Sequence, residues 1–195
     1  MLVKVLVQDT LALVSKTKNG LMIAGIGLIL SAFGARIFVL MVLIGAVIVF
    51  TGRNAWPQTR GTAAAGMGLI LIGFILSLVS FVLTLVFVLG SVFDPTVLVS
   101  LTGLLGLLVT WIGVLVLAWK ITSGAFKWAI VAGFALVLIA LVIAPFASTL
   151  DQFEAVFGVQ LIASVIGSIG YILAGVGYIY ARGKLPMPGR GASPM

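Results

Sequence analysis

The chain has 195 residues, 63% hydrophobic and only 8% charged, whereas a soluble domain carries about 25% charged residues, so an all-α integral membrane protein is predicted. It contains neither cysteine nor histidine, which excludes disulfides, thiolate metal sites and histidine-based haem, copper, zinc or proton-shuttle chemistry, and no cofactor is expected. The net charge is +7 without any run of five basic residues, which favours anionic lipid headgroups over nucleic acid as the partner.

Residues 1–18 mix apolar and polar side chains and precede the first long apolar run. Lys4, Gln8 and Ser15 share one face of a helix, which predicts an N-terminal amphipathic helix in the membrane interface. A cleaved signal peptide is not expected, because only four residues separate Lys4 from Asp9 and no apolar core precedes a small-residue cleavage site.

Arg36 interrupts the next apolar segment near its middle, and two interpretations compete there. One is a single helix of about 45 Å with Arg36 at the bilayer centre, which costs several kcal/mol. The other is a short hairpin of helices 20–35 and 37–52. Each of these helices reaches only about 24 Å, below the roughly 30 Å hydrocarbon core, unless residues 11–20 lengthen the first.

Longer charge-free runs follow, each exceeding the roughly 20 residues that a bilayer requires. They predict helices at 62–91, 96–119, 128–149 and 155–181. With the first pair, they give a membrane domain (19–181) of six transmembrane helices in three antiparallel hairpins. Residues 182–195 are rich in Pro, Gly and Ser, which predicts a flexible cytoplasmic tail.

The distribution of charge favours the six-helix interpretation. It leaves one face of the membrane with Arg36 and three acids, and it gives the other face ten of the 11 basic residues. By the positive-inside rule, both termini are then cytoplasmic in a multi-pass protein of the cell membrane. Headgroup contacts are predicted for Arg36, Arg53, Arg60, Lys120, Lys127 and Arg182.

A short pattern of small residues recurs along the helices. The odd-numbered helices share Ala24–Leu28, Ala65–Leu69 and Ala132–Leu136, while the even-numbered ones place Gly45, Gly113 and Gly175 seven or eight residues before a basic residue. This three-hairpin plan resembles that of small six-helix membrane proteins such as the HdeD-type acid-resistance proteins. The resemblance is one of architecture and implies no activity here.

The last predicted helix carries a continuous stripe of small residues, which lets two helix backbones approach closely in lipid. The stripe consists of Ala163, Gly167, Gly170, Ala174, Gly177 and Ala181. It predicts a helix–helix contact, either within the chain or with another subunit.

The predicted function follows from what the spans lack. They offer hydroxyls, such as those of Ser77, Thr84, Thr110 and Ser164, but no carboxylate for ion coupling. No nucleophile–base pair or metal set can be assembled, so neither an enzyme nor a metal site is expected. We expect a non-catalytic accessory or scaffold subunit bound to other membrane subunits or to copies of itself. The alternative is a small transporter or channel for a neutral or lipid-like solute.

Overall fold

The computed structural model describes most of the chain. The described residues are 2–34, 39–55, 60–90, 96–120, 124–146, 153–183 and 185. This part is helical apart from short turns, which confirms the all-α class. The reason is that a backbone in lipid must satisfy its own polar groups, and an α-helix does so within one segment.

Six α-helices and one short 3₁₀ turn are present in these residues. They are α1 (Leu2–Ser31), α2 (Val39–Gly52), the 3₁₀ turn Arg53–Ala55, α3 (Arg60–Gly90), α4 (Thr96–Ala118), α5 (Ala125–Phe146) and α6 (Phe153–Gly183).

Five of the helices contain a segment long and apolar enough to cross a membrane. These segments are Asp9–Ser31, Arg60–Val86, Leu101–Ala118, Ala125–Ala144 and Glu154–Gly183. The exception is α2, whose 14 residues reach about 21 Å at 1.5 Å per residue. Residues 11–20 therefore lengthen the first helix, which is the alternative that the sequence left open, and only α2 is short.

Helix α1 differs most from its predicted bounds. It is continuous from Leu2 to Ser31, so no break separates the predicted interfacial segment 1–18 from the predicted helix 20–35. Neither Pro nor Gly occurs before Gly20, and the chain there has no reason to leave the helical conformation. Val14 and Thr17 are buried, so this stretch packs as part of the helix bundle. An interfacial position for the first residues stays a prediction.

A turn ends α1 before Arg36 is reached. The amides of residues 32, 33 and 34 each donate to the carbonyl oxygen three residues earlier, at 3.1 Å, and Gly34 has a φ of 85°. A glycine in this left-handed conformation is a common helix terminator. The single long helix through Arg36 is therefore wrong, while Arg36 itself lies outside the described residues.

Consecutive helices pack closely in pairs, α1 with α2, α3 with α4, and α5 with α6. In the first pair, Gly45 lies against Gly20 whereas Gly52 lies against Thr17, so the two helices run antiparallel. Helix α6 also packs along α1 and thereby joins the last pair to the first. Helices α4 and α5 touch only slightly, and a crevice opens between their pairs.

Contacts between pairs of glycines lie within these interfaces. A Cβ built on one glycine of each pair would lie 2.5–2.9 Å from the carbonyl oxygen of its partner, which is closer than real side chains approach. The pairs are Gly20–Gly45, Gly25–Gly175, Gly66–Gly113, Gly73–Gly106 and Gly133–Gly170. Close backbone approach supplies the dispersion contacts that hold helices together in lipid.

Candidate functional site

Basic side chains gather at one end of the bundle, which we call the basic end. Three contacts between helices establish the arrangement: Gly52 with Thr17, Gly66 with Leu117, and Gly177 with Phe126. The basic end comprises Lys16, Lys18, Arg53, Arg60, Lys120, Lys127 and Arg182.

The opposite end carries an acid in the first turn of α6, Glu154. In the middle of α6, Ser168 Oγ donates to the Ala32 carbonyl oxygen at 2.7 Å. This bond gives a side-chain partner to a carbonyl just beyond the end of α1. It also fixes α6 against the turn that precedes α2.

Two of the predicted headgroup residues lie between α2 and α3: Arg53 follows the end of α2, and Arg60 is the first residue of α3. Arg53 Nη1 donates to the Phe50 carbonyl oxygen at 2.8 Å, and its guanidinium lies 3.6 Å from the centroid of the Phe50 ring. Arg60 Nε donates to Asn54 Oδ1 at 2.8 Å, in an exposed position. Both guanidiniums therefore have partners in the chain and retain donors for further contacts, because arginine carries five.

The other predicted headgroup residues lie at the ends of α4, α5 and α6. Lys120 is exposed, and Lys127 Nζ lies 3.5 Å from the centroid of the Trp119 ring. Such a cation–π contact contributes about 0.5–1 kcal/mol at an exposed site. Arg182 Nη1 donates to Met22 Sδ on α1 at 2.7 Å.

A cavity of about 460 Å³ opens between α1 and α6 at the basic end. It is lined by Lys18, Ile179, Tyr180, Arg182 and Gly183. Lys18 is not one of the six predicted headgroup residues. Its proximity to Arg182 could not be predicted, because 164 residues separate the two in sequence.

A second opening, of about 350 Å³, is the crevice between α4, α5 and α6. Its walls are mostly apolar, with Gln160, Ser164 and Tyr171 as the polar exceptions. The Tyr171 ring packs against Trp111 at a centroid distance of 5.0 Å, and Trp111 is 2% exposed. Trp111 is therefore a packing residue behind the crevice.

Most of the hydroxyls considered for a solute path bond within their own helices. Ser77 donates to the Gly73 carbonyl, Thr84 to that of Ser80, and Thr110 to that of Gly106, at 2.8–2.9 Å. Of the four hydroxyls named for this role, Ser164 alone lines the crevice. The described interior therefore offers few polar groups to a solute.

The small-residue stripe of α6 faces α5 of the same chain. Gly170 and Ala174 lie against Gly133, and Gly177 lies against Phe126 and Ile130. For the remaining members, a Cβ built on Gly167 would lie 3.4 Å from the Ala140 Cβ, and Ala163 and Ala181 are buried.

Sequence reasoning missed a second contact face on α6. Gly175 meets Gly25 of α1, although both glycines stand out in the recurring small-residue pattern. The neighbouring Tyr178 is fully buried, and its hydroxyl donates to the Val114 carbonyl oxygen on α4. A tyrosine among small residues indicates a buried packing position, but the sequence does not identify its partner, which lies 64 positions away.

Among the residues whose positions are described, no group of three His, Cys, Asp or Glu side chains could hold a metal ion. No protein-family model matches this chain, and no curated protein or solved structure is significantly similar to it. The resemblance to HdeD-type proteins therefore stays an expectation of architecture.

Proposed function

We propose that this protein is a non-catalytic scaffold or accessory subunit of a membrane protein complex. The observation that carries the proposal is the state of its polar interior. Among the described side chains, no buried nitrogen or oxygen atom lacks a hydrogen-bond partner, and the partners identified are mainly backbone carbonyls. Such an interior serves packing, and the glycine contacts make the packing tight.

The exposed surface supports a role in assembly. Large apolar residues cover the outer side of α3, including Ile72, Ile75, Val79, Phe81 and Val86. Helix α3 packs against α4 and only lightly against α2, which leaves this surface for lipid or for another subunit. Partners in the proposal are other membrane subunits or further copies of the chain.

Photo-crosslinking from matched exposed positions tests this role. A photoreactive residue would replace Ile75 on α3, Val142 on α5 or Val165 on α6, which are all about half exposed. A protein adduct from one face and lipid adducts from the others would support the proposal. Lipid adducts from all three positions, together with a lone monomer in mild detergent, would contradict it.

The proposed topology is six spans in three antiparallel hairpins, in the cell membrane, with both termini cytoplasmic. The basic end supports it, because short loops rich in Lys and Arg stay on the cytoplasmic side. Helix α2 with its 3₁₀ turn, Val39–Ala55, is the short apolar segment. It spans only if the bilayer thins locally or if its flanking residues reach the interface.

Cysteine labelling tests this topology cleanly, since the chain has no cysteine of its own. Single cysteines would replace Arg36, Asp94 and Gln152, with Lys120 as the control at the basic end. We expect a membrane-impermeant reagent to label the first three from outside intact cells and to leave position 120 unlabelled. Labelling of position 36 from the cytoplasmic side alone would contradict the first hairpin.

A second candidate function is the binding or passage of a neutral or lipid-like solute, and the crevice favours it. Ser164→Trp would fill the crevice beside Gln160, while Val165→Trp would place the same side chain on the outer surface of α6. Lipid or solute flux into proteoliposomes that falls for S164W and not for V165W would support this function. Equal flux in protein-free vesicles would refute it.

A further inference from the structure

The cavity between α1 and α6 brings together two cations from distant parts of the chain. Lys18 comes from the middle of α1 and Arg182 from the last turn of α6, and both are partly buried. Partial burial matters because a charge pair near a protein surface interacts several times more strongly than in bulk water. Two positive charges in its lining therefore make the cavity attractive to an anion.

The described acids of the chain do not neutralise these cations. Glu154 lies at the start of the same helix as Arg182, and 28 residues of α-helix separate the two by about 42 Å. Asp9 precedes Lys18 by nine residues on α1, or about 14 Å along the helix. Both distances exceed the Debye length of about 8 Å at physiological salt.

The end of α6 opposes an anion only weakly. The free carbonyl groups of its last turn carry about half a negative charge, and Gly183, which ends the helix, lines the cavity. Lys18 and Arg182 together supply two full positive charges. The net charge around the cavity is therefore positive.

The remaining lining combines an apolar wall with a hydroxyl. Ile179 lies against Gly25 of α1 and provides the apolar wall. The Tyr180 ring stacks on Phe126, at a centroid distance of 5.4 Å and an angle of 3°, which fixes the ring while its phenol carries a donor. A ligand that fits this lining has an anionic oxygen group joined to an apolar body.

We propose that this cavity binds the phosphate of an anionic phospholipid, whose acyl chains run along α1 and α6. Basic pockets between transmembrane helices on the cytoplasmic side bind such headgroups. Lys18 and Arg182 contact the phosphate, and the Tyr180 hydroxyl donates to a phosphate or ester oxygen. The inference rests on the proposed placement of the basic end at the headgroup level.

Native mass spectrometry of the protein in detergent, titrated with phosphatidylglycerol or phosphatidylcholine, tests the site. We expect the double variant K18Q/R182Q to weaken phosphatidylglycerol binding roughly 25-fold, because each basic residue contributes about fivefold. The matched control K120Q/K127Q removes the same charge from two residues whose predicted headgroup contacts lie away from the cavity, so the lipid bound in the cavity stays in place. Equal losses in both variants would show a diffuse basic belt and overturn the proposal.

Single substitutions keep the test decisive if the Arg182 variant does not fold. Lys18→Gln weakens binding about fivefold, while Lys16→Gln, two residues away and exposed, does not. If inorganic phosphate at millimolar concentration displaces the lipid, the cavity is a free-phosphate site and the lipid assignment is wrong. Cysteine labelling reports the topology separately, so a persistent lipid preference with inverted labelling would refute the topology and retain the site.

Discussion

Gly133 and Gly170 approach so closely that a Cβ on either would lie 2.5 or 2.6 Å from the other's carbonyl oxygen. Lipid does not drive apolar side chains together as water does, so helix association depends on such close backbone contacts. Other glycines of the same helices face open space, Gly158 among them. The contribution of a glycine to stability therefore depends on whether its Cα faces another helix or open space.

We expect Gly170→Val to destabilise the protein by at least 1–3 kcal/mol, the usual cost of overpacking, because the new side chain meets the α5 backbone and Val137. Gly158→Val changes the helix propensity of α6 equally but meets no neighbour within 4 Å. Thermal unfolding midpoints in the same detergent compare the two variants. Equal midpoints would show that the α5–α6 contact is looser than described.

The Tyr178 hydroxyl provides a second test at this scale. Tyr178→Phe removes its bond to the Val114 carbonyl on α4, and hydrogen bonds between transmembrane helices average about 0.6 kcal/mol, with a maximum of about 1.7. Tyr180→Phe is the control, because that ring is exposed and keeps its stacking on Phe126. A chemical unfolding titration should show a loss of stability for Y178F only.

At the scale of single helices, the end of α1 determines the architecture of the first third of the chain. The turn at residues 32–34 reverses the chain and lets α2 return along α1. Gly34 adopts a φ of 85° there, whereas Gly61 lies inside α3. The same substitution should therefore have opposite effects at these two positions.

Gly34→Ala is expected to cost about 1–2 kcal/mol, since an L-residue in the left-handed region brings its Cβ close to the backbone. Gly61→Ala should be neutral or stabilising by up to about 1 kcal/mol, because alanine favours the helix and nothing lies within 4 Å of its Cβ. Thermal unfolding would compare them. Stabilisation by G34A would contradict the turn.

At the scale of the whole molecule, α6 holds the bundle together. It packs on α5 through its small-residue stripe and on α1 through Gly175, and it bonds to α4 through Tyr178. Helices α4 and α5 contribute little to each other. We therefore expect the helix pairs to stay packed when the connection between α4 and α5 is cut, because α1 and α6 still hold them together.

We predict that fragments 1–121 and 122–195, expressed together, assemble into a stable complex through the contact between α1 and α6. Gly175→Leu should abolish co-purification of the fragments, because its side chain would meet the Gly25 carbonyl and Ile29. Gly158→Leu should leave the complex intact. Fragments that fail to associate without any substitution would show that the α1–α6 contact is too weak to hold the bundle.

Much of the local structure was accessible from the sequence. Charge-free runs located α3 to α6, because the length of an apolar run and its helical conformation are both imposed by the bilayer. The bounds of α1 were missed, since polar side chains such as Lys4 among residues 1–18 predicted a separate interfacial helix, whereas α1 is continuous through this stretch. Lysine is a good helix former, so its charge indicates depth in the membrane without ending the helix.

By itself, the sequence determined that this chain is an all-helical protein with several helices long and apolar enough to span a membrane, because composition and run length act locally along the chain. Only the tertiary structure decided which small residues meet, that the α6 stripe faces α5, and that Lys18 lies beside Arg182 at one cavity. The physical reason is that helices with apolar residues on every side give no amphipathic signal for their partners. Their packing depends on how the helix backbones fit together in three dimensions, and the spacing of residues along one helix does not predict that fit.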